Sequence, residues 1–551
     1  MQQRRLGWSN SEIGGSPAGA ETGWRFAAGV LAACLVLAGT AAAGSAGLLH
    51  IGGNKQLFID DHVIESLSHV KQILNPAVKH PANPLLKQDR PWEGHYIGLQ
   101  RIIYDPDQGM YRMWYRVTGA FESQKGGADR LRPYRWDWSV VDGKAVRSKA
   151  EEVYGYRQYA GGEDWLLCYA TSRDGIQWEK PNLGQVEFEG SRDNNLLPPG
   201  TLVPLFRDEH ETDPAKRYKA MRSEGTTPTV WKPGIKPGMR QSLYYSPDGF
   251  EWTPYENNPV IDTAPKIGRW GPTQHMGWDP IRQVYAVFME QCLHRGCPQG
   301  QRIIGRAESP DMTRWTPDQN VLIQDELDFP DTEFYSMPVM AYEGIYIGLP
   351  WIFRTTNTLH YPQLAFSRDG IRFERQYRQP FLQVGDKGDF DESTIYVHQP
   401  MVRDGEIRIY YYGGNWRGSE SLHAQGDRAM FAVALATVRE DGFVSVDAGK
   451  IHPGFLTTRF LSFEGRRLVV NLEAAKHNHG AGQPEVRVEI IGNDYHPIPG
   501  YTLDESDPAR VTGKHVMSWR GRTELGALAG TPIQLRFEIR NAKLFSFQFR
   551  P

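Results

Sequence analysis

Short apolar runs separated by polar turns fill almost the whole chain, and one turn keeps returning. Ser172-Arg173-Asp174-Gly175-Ile176-Gln177-Trp178 is echoed by Ser246-Pro247-Asp248-Gly249-Phe250-Glu251-Trp252, Ser309-Pro310-Asp311-Met312-Thr313-Arg314-Trp315 and Ser367-Arg368-Asp369-Gly370-Ile371-Arg372-Phe373. A degenerate fifth copy is Arg439-Glu440-Asp441-Gly442-Phe443. An apolar run such as Leu166-Leu167-Cys168-Tyr169-Ala170 leads into the motif, Asp-Gly supplies a tight turn, and an aromatic opens the next run, which is the pattern of a β-hairpin. A catalytic residue is not needed five times over, so the repeated Asp reads as structural. The Asp landmarks lie 74, 63, 58 and 72 residues apart, too irregular for a solenoid but natural for repeated sheets with loops of unequal length.

Between the landmarks the same strand order returns, with Tyr111-Arg112-Met113-Trp114-Tyr115, Val284-Tyr285-Ala286-Val287-Phe288 and Ile407-Arg408-Ile409-Tyr410-Tyr411 as second strands. Four short antiparallel strands per unit and five units in series predict an all-β protein, a five-bladed β-propeller over residues 50–458. Its blades fall at about 93–183, 194–262, 270–323, 331–383 and 389–458. Beyond that the grammar changes: Leu468-Val469-Val470-Asn471-Leu472, Val486-Arg487-Val488-Glu489-Ile490 and Ile533-Gln534-Leu535-Arg536-Phe537 predict a separate β-sandwich over 459–551. The 57–64 run reads as a strand that closes the propeller or pads the sandwich.

Residues 1–46 are read as a targeting segment. Arg4, Arg5 and Arg25 precede an apolar stretch over 26–37 and small residues at 41–43, the layout of a secretory signal. The stretch is short for a spanning helix. Leu31-Ala32-Ala33-Cys34 also resembles a lipoprotein box that would lipidate Cys34, although the apolar run continues past it. The expected mature protein is exported, to the periplasm or beyond, with no membrane span. A formal net charge of -3 without a long run of either sign offers nothing to nucleic acid. The 16 Trp and 25 Tyr suit sugar stacking and equally the core of a β-protein. Of four cysteines, Cys34 leaves with the signal, Cys168 sits in an apolar strand, and Cys292 and Cys297 are spaced for a loop-closing disulfide. A metal site using His294 would lack a second cysteine pair.

In a four-stranded blade the turn between third and fourth strands lies opposite the face where second and third strands join, so the Asp-Gly turns form the back. The long loops, about 119–163, 225–240, 290–300 and 413–427, form the front, where a repeat fold places its binding site. Counting twelve and ten residues back from the turn that ends each inner strand gives Glu93 and His95 before Asp105, Asp331 and Glu333 before Glu343, and Glu392 and Thr394 before Asp404. Even offsets keep these on one strand face. Arg269 and His275 stand at ten and four before Asp279, and Tyr335 follows Glu333 on its face. Converging carboxylates are what glycosidic bond cleavage needs, one protonated to assist the leaving oxygen and one ionised to attack or to activate water. The candidate acids are Glu93, Glu333 and Glu392, with Asp331 and Asp391 next if the register slips; His95, Arg269, His275 and Tyr335 would orient the sugar.

Five blades, the Ser-x-Asp-Gly-x-x-Trp hairpin, a signal and a C-terminal sandwich together resemble the five-bladed propeller glycoside hydrolases: invertases, levanases, arabinanases and xylosidases. The resemblance implies a carbohydrate substrate, an acid in blade one as nucleophile or base, a second in blade two and a Glu in blade three as proton donor. Phe206-Arg207-Asp208-Glu209 resembles the invertase Arg-Asp-Pro, though Asp208 aligns with the rear turns, and Met289-Glu290-Gln291-Cys292 resembles the invertase Glu-Cys at the end of a second strand. Glu93 stands where those enzymes have an Asp. No cofactor is required; channel carboxylates can also hold a structural calcium ion, without a dedicated calcium loop. The alternatives are a non-catalytic glycan-binding or scaffold propeller using Trp270, Trp351 or Trp416, and a lyase with Tyr335 or His275 as base, which a cationic channel would favour.

Overall fold

The computed structural model describes residues 47–551, except 94–95, 119–135, 142–143, 150–165, 199, 225–239, 263–273, 294–300, 416–430, 450–451 and 476–481. The signal-like segment and Cys34 thus lie outside the described residues. The described chain is almost all β, and its helical pieces are single 3₁₀ turns such as Pro214–Lys216. No helix among the described residues is long and apolar enough to cross a membrane.

Antiparallel meanders succeed one another in chain order. Tyr96–Asp105, Met110–Thr118 and Leu166–Ser172 form the first. Leu205–Arg207, Tyr218–Glu224, Arg240–Ser246 and Thr253–Pro254 form the second, and Gln274–Asp279, Val284–Cys292, Arg302–Ser309 and Gln319–Leu322 the third. The fourth is split into Val339–Tyr342, Ile345–Gly348 and Ala365–Ser367 on one side and Thr332–Phe334, Trp351–Arg354 and Leu359–Pro362 on the other. Pro338 and Pro350 stand at the breaks, where they have no N–H to give the ladder. The freed half joins the next sheet by the parallel pair His360 and Thr394. In the fifth, Thr394–Val397 and Met401–Arg403 both lie on Glu406–Gly414, followed by Phe431–Arg439.

The recurrent turns have the structural role expected of them. In the first, Ser172 Oγ accepts from Gly175 N at 2.8 Å, and Asp174 Oδ1 accepts from Ile176 N and Gln177 N, both at 2.8 Å. Gly249 shows why glycine comes after the Asp: its φ is +84° and an added Cβ would stand 2.8 Å from the Trp114 ring. Three of the turns are gripped by the preceding sheet: Arg112 donates to Asp248 O at 2.6 Å, Arg306 to Gly370 O at 3.2 Å and Arg408 to Asp174 O at 2.6 Å. Acids at the ends of first strands accept from tyrosines of the next sheet: Tyr218 on Asp105 at 3.0 Å, Tyr285 on Asp208 at 2.6 Å and Tyr346 on Asp279 at 2.8 Å. Asp208 is therefore a buried inter-sheet link, also paired with Lys219. Because Arg408 donates to Tyr111 as well, at 2.8 Å, the fifth sheet returns to the first.

Two elements depart from the sequence expectation. The fifth sheet takes its outer strand from the N-terminal side, Val78–Lys79 pairing with Phe431–Arg439 and Leu85 N donating to Val433 O. With that edge occupied, Val444–Ala448 and Gly454–Thr458 leave the unit expected to run to 458. The former pairs with Val70–Leu74 and Ala542–Arg550, the latter with Ile64–Ser68 and Gln534–Arg540. Their Val446 and Leu456 enter one core with Leu468, Val488, Trp519, Phe537 and Phe547, which also receives Phe58 and Val63. The 57–64 run is mostly irregular and lies between two cores, since Leu57 and Ile59 face the cluster of Trp351 and Phe443. The degenerate fifth turn is also reassigned: Asp441 accepts from Lys55 at 2.8 Å, Tyr342 at 2.6 Å, Asn471 at 2.9 Å and Ser546 at 2.7 Å, tying the two regions together.

Candidate active site

First strands of different meanders converge on shared partners. Arg101 Nη2 donates to Gln399 Oε1 at 3.2 Å, and His398 Nε2 donates to Leu99 O at 2.9 Å. His275 Nε2 lies 3.0 Å from Ser336 Oγ, with its ring 6.1 Å from His398 and 5.9 Å from Trp351. The first, third, fourth and fifth sheets thus meet on a common axis.

Along that axis two carboxylates share one guanidinium. Glu290 comes from Val284–Cys292, Arg302 opens the adjoining strand, and Glu333 stands on the freed half of the fourth sheet. Arg302 Nη1 donates to Glu333 Oε2, and Arg302 Nε lies 3.3 Å from Glu290 Oε1 without hydrogen-bond alignment. A guanidinium is a small rigid fork, so the two carboxylate oxygens nearest it are held within roughly 8 Å of each other, below the ~9.5 Å upper limit of the separations used by glycosidases. Burial works against the Arg302 charge, but Glu290 and Glu333 outweigh it and its pKa is raised. The guanidinium sits 5.4 Å from the Tyr335 ring centre, and Tyr335 stands edge-on to His360, which stacks on Phe353 at 4.4 Å.

Of the residues expected from sequence, Glu333, Tyr335 and His275 fall on this axis. Glu93 does not serve as expected: it is fully buried, accepts from Tyr115 at 2.8 Å and from the N–H groups of Asp89 and Arg90, and pairs with Lys180 at 2.7 Å. Asp391 is likewise buried against Lys79 at 2.7 Å and Tyr411 at 2.8 Å. Asp331 is taken by Arg354, at 2.8 Å, and Thr356, and Glu392 accepts from Gly388 N at 2.5 Å. His95 and Arg269 lie outside the described residues, as do most of the front loops. The offsets fail because the first strands are interrupted: a bulge at Gln100 in the first sheet, Pro338 in the fourth, and residues 398–400 in the fifth.

Arg302 was not singled out from sequence: it opens a third strand, and the counting followed first strands only. Cys292 is disulfide-bonded and Cys168 is free and buried; Cys297 and His294 lie outside the described residues. Among the described residues, no group of three or more His, Cys, Asp or Glu is placed to hold a metal ion. A cleft of about 370 Å³ lies elsewhere, beside Asp60, His62, Arg368 and Glu374, and is crossed by the Arg368–Asp60 pair at 2.7 Å.

Burial pushes His360 and His398 down to about 3, helped by Arg302 and Arg101 respectively, and pushes His275 well below its ordinary value, with His398 and Arg101 adding to it. Their folded pKa values lie below the unfolded ~6.5, so the unfolded chain binds these protons first and stability falls as pH drops below ~6.5. Each of the three contributes up to about 1.4 kcal/mol per pH unit. Denaturant titrations at pH 7.5 and 5.5 are expected to show this loss, and His398→Gln to show less of it.

No family model and no curated protein matches the chain. Among solved structures it is similar to one described as a glycoside hydrolase, at 13% identity and TM-score 0.41 over 71% of this chain and 97% of the other. A β-1,2-mannobiose phosphorylase from Listeria innocua gives 12% identity and TM-score 0.41, over 66% and 96%. A β-fructofuranosidase from Bombyx mori gives 13% and 0.35, over 87% and 95%. At that distance no argument passes from them to this chain, and the site's own geometry carries the functional reading.

Proposed function

We propose that the chain is an exported glycoside hydrolase in which Glu290 and Glu333, bridged by Arg302, are the working carboxylates. The meanders are read as the five blades of a propeller: they come in chain order, each links to the next, the fifth returns to the first, and N-terminal residues complete the fifth. The two further sheets around one shared core are read as a β-sandwich. The observation that carries the enzymatic reading is two acids from different sheets on one guanidinium beside a partly exposed tyrosine. Glu333, hydrogen-bonded to Arg302, would attack the anomeric carbon or activate water. Glu290, the more buried of the two, would carry the proton to the leaving oxygen. Tyr335, partly exposed, offers a face for the sugar.

The test is sugar release from a panel of plant and algal polysaccharides and aryl glycosides. Turnover on one class supports the enzyme. Saturable binding with no turnover anywhere on the panel would instead leave a glycan-binding protein.

A further inference from the structure

We infer that the axis carries, at Arg101, a subsite for an oxyanion on the sugar, so that the substrate is an acidic saccharide bearing a carboxylate, sulfate or phosphate; this rests on the carbohydrate reading above. Arg101 lies deep in the protein, and part of the residue keeps accessible surface. Its one hydrogen-bond partner is the neutral Gln399, its Nε has none, and no carboxylate among the described residues pairs with it. Three other deeply placed arginines are matched with acids: Arg112 with Asp105, Arg306 with Asp279, Arg375 with Asp328. A buried cation without a counter-charge is costly to keep unless something else supplies the charge.

The backbone is bent to present it. In the first strand Leu99 faces Tyr115 and Arg101 faces Trp114, leaving Gln100 as a bulge that breaks the alternation and re-aims the residues after it. His275 and His398, whose titration Arg101 suppresses, are uncharged and cannot satisfy it. Burial accordingly pushes the Arg101 pKa down to about 10 with no anion to offset it. Rings wall the way from the carboxylates to this cation: Tyr335 to Tyr396 at 6.3 Å, Tyr396 to Trp351 at 4.7 Å, and Trp351 to His275 at 5.9 Å. A sugar set against the partly exposed Tyr335 and Tyr396 would direct its acidic group toward Arg101.

Calorimetric titration of the intact protein with glucuronic acid, galacturonic acid, glucose 6-sulfate, glucose 6-phosphate, glucose and inorganic phosphate tests this. At least one acidic sugar is expected to bind tenfold or more tighter than glucose, and the arm that does so names the anion. Arg101→Met is expected to remove that preference and Arg101→Lys to keep part of it, which guards against a Met variant that fails to fold. Equal binding of glucose and all acidic sugars, a preference unchanged in both variants, or inorganic phosphate binding as well as any sugar would overturn the proposal. Turnover of neutral glycans without acidic preference would sink the subsite and spare the hydrolase, whereas Arg101-dependent binding without turnover would do the reverse.

Discussion

Glu333→Gln is expected to lower turnover by about a hundred- to ten-thousand-fold while leaving the protein folded. The amide keeps the size of the side chain and an oxygen for Arg302, so the surrounding packing is retained. It removes the negative charge, and with it both the nucleophile or base and the partner that balances Arg302. Since Glu333 keeps 15% of its side chain accessible and stands on a short strand freed from the rest of its sheet, the substitution should cost little stability. Initial rates on the best substrate of the panel, together with a circular dichroism spectrum, measure both. Unchanged turnover in a folded variant would exclude Glu333 from the chemistry.

The largest stability effect is expected at Asp441. Its side chain is fully buried, and its carboxylate collects Lys55, Tyr342, Asn471 and Ser546 from both regions of the fold. Asp441→Ala leaves those donors unsatisfied and Lys55, itself nearly buried, with only Glu343 and Glu440. Breaking a buried pair by removing one partner costs about 3–5 kcal/mol. Burial opposes the Asp441 charge, but the bonds from Lys55, Tyr342 and Asn471 prevail and hold its carboxyl below the ordinary range. Its folded pKa being lower than the unfolded one, this stability is present above pH ~4 and is lost as pH falls through the depressed value. The alanine variant should therefore unfold at lower denaturant concentration near neutrality and lose this part of the acid dependence. An unchanged midpoint would show that the junction does not hold the two regions together.

The hairpins were legible because turn chemistry is local: Ser, Asp and Gly within four residues make the same bonds wherever they recur. The fifth copy broke that rule visibly, lacking the Ser, and its Asp does a different job. Completion of the fifth sheet by residues near 78–86 was not legible, because the partner strand lies more than three hundred residues away and nothing local marks the pairing. The same holds for Glu93, whose partner Lys180 comes from beyond the first recurrent turn. Glu333 was reached by an offset counted across the Pro338 break, and Tyr335 follows it by two residues, a spacing that alternation keeps on one face. The offset that gave Glu392, with Asp391 as its one-residue slip, was counted along one strand, whereas Glu406–Gly414 carries two separate short strands there. Arg101 was hidden by a bulge that periodicity cannot show, and Glu290 by its place on a second strand, where only its resemblance to the invertase Glu-Cys marked it.

The central claim is that Glu290 and Glu333 work as an acid and an anion on one glycosidic bond. The most direct test is the rate of Glu290→Gln on two substrates of the same sugar, one with a dinitrophenyl leaving group and one with a sugar or alkyl leaving group. A missing proton donor should cost at least about a hundredfold on the poor leaving group and little on the good one, which departs without protonation. Wild-type rates on both substrates, or equal losses on both, would contradict the account.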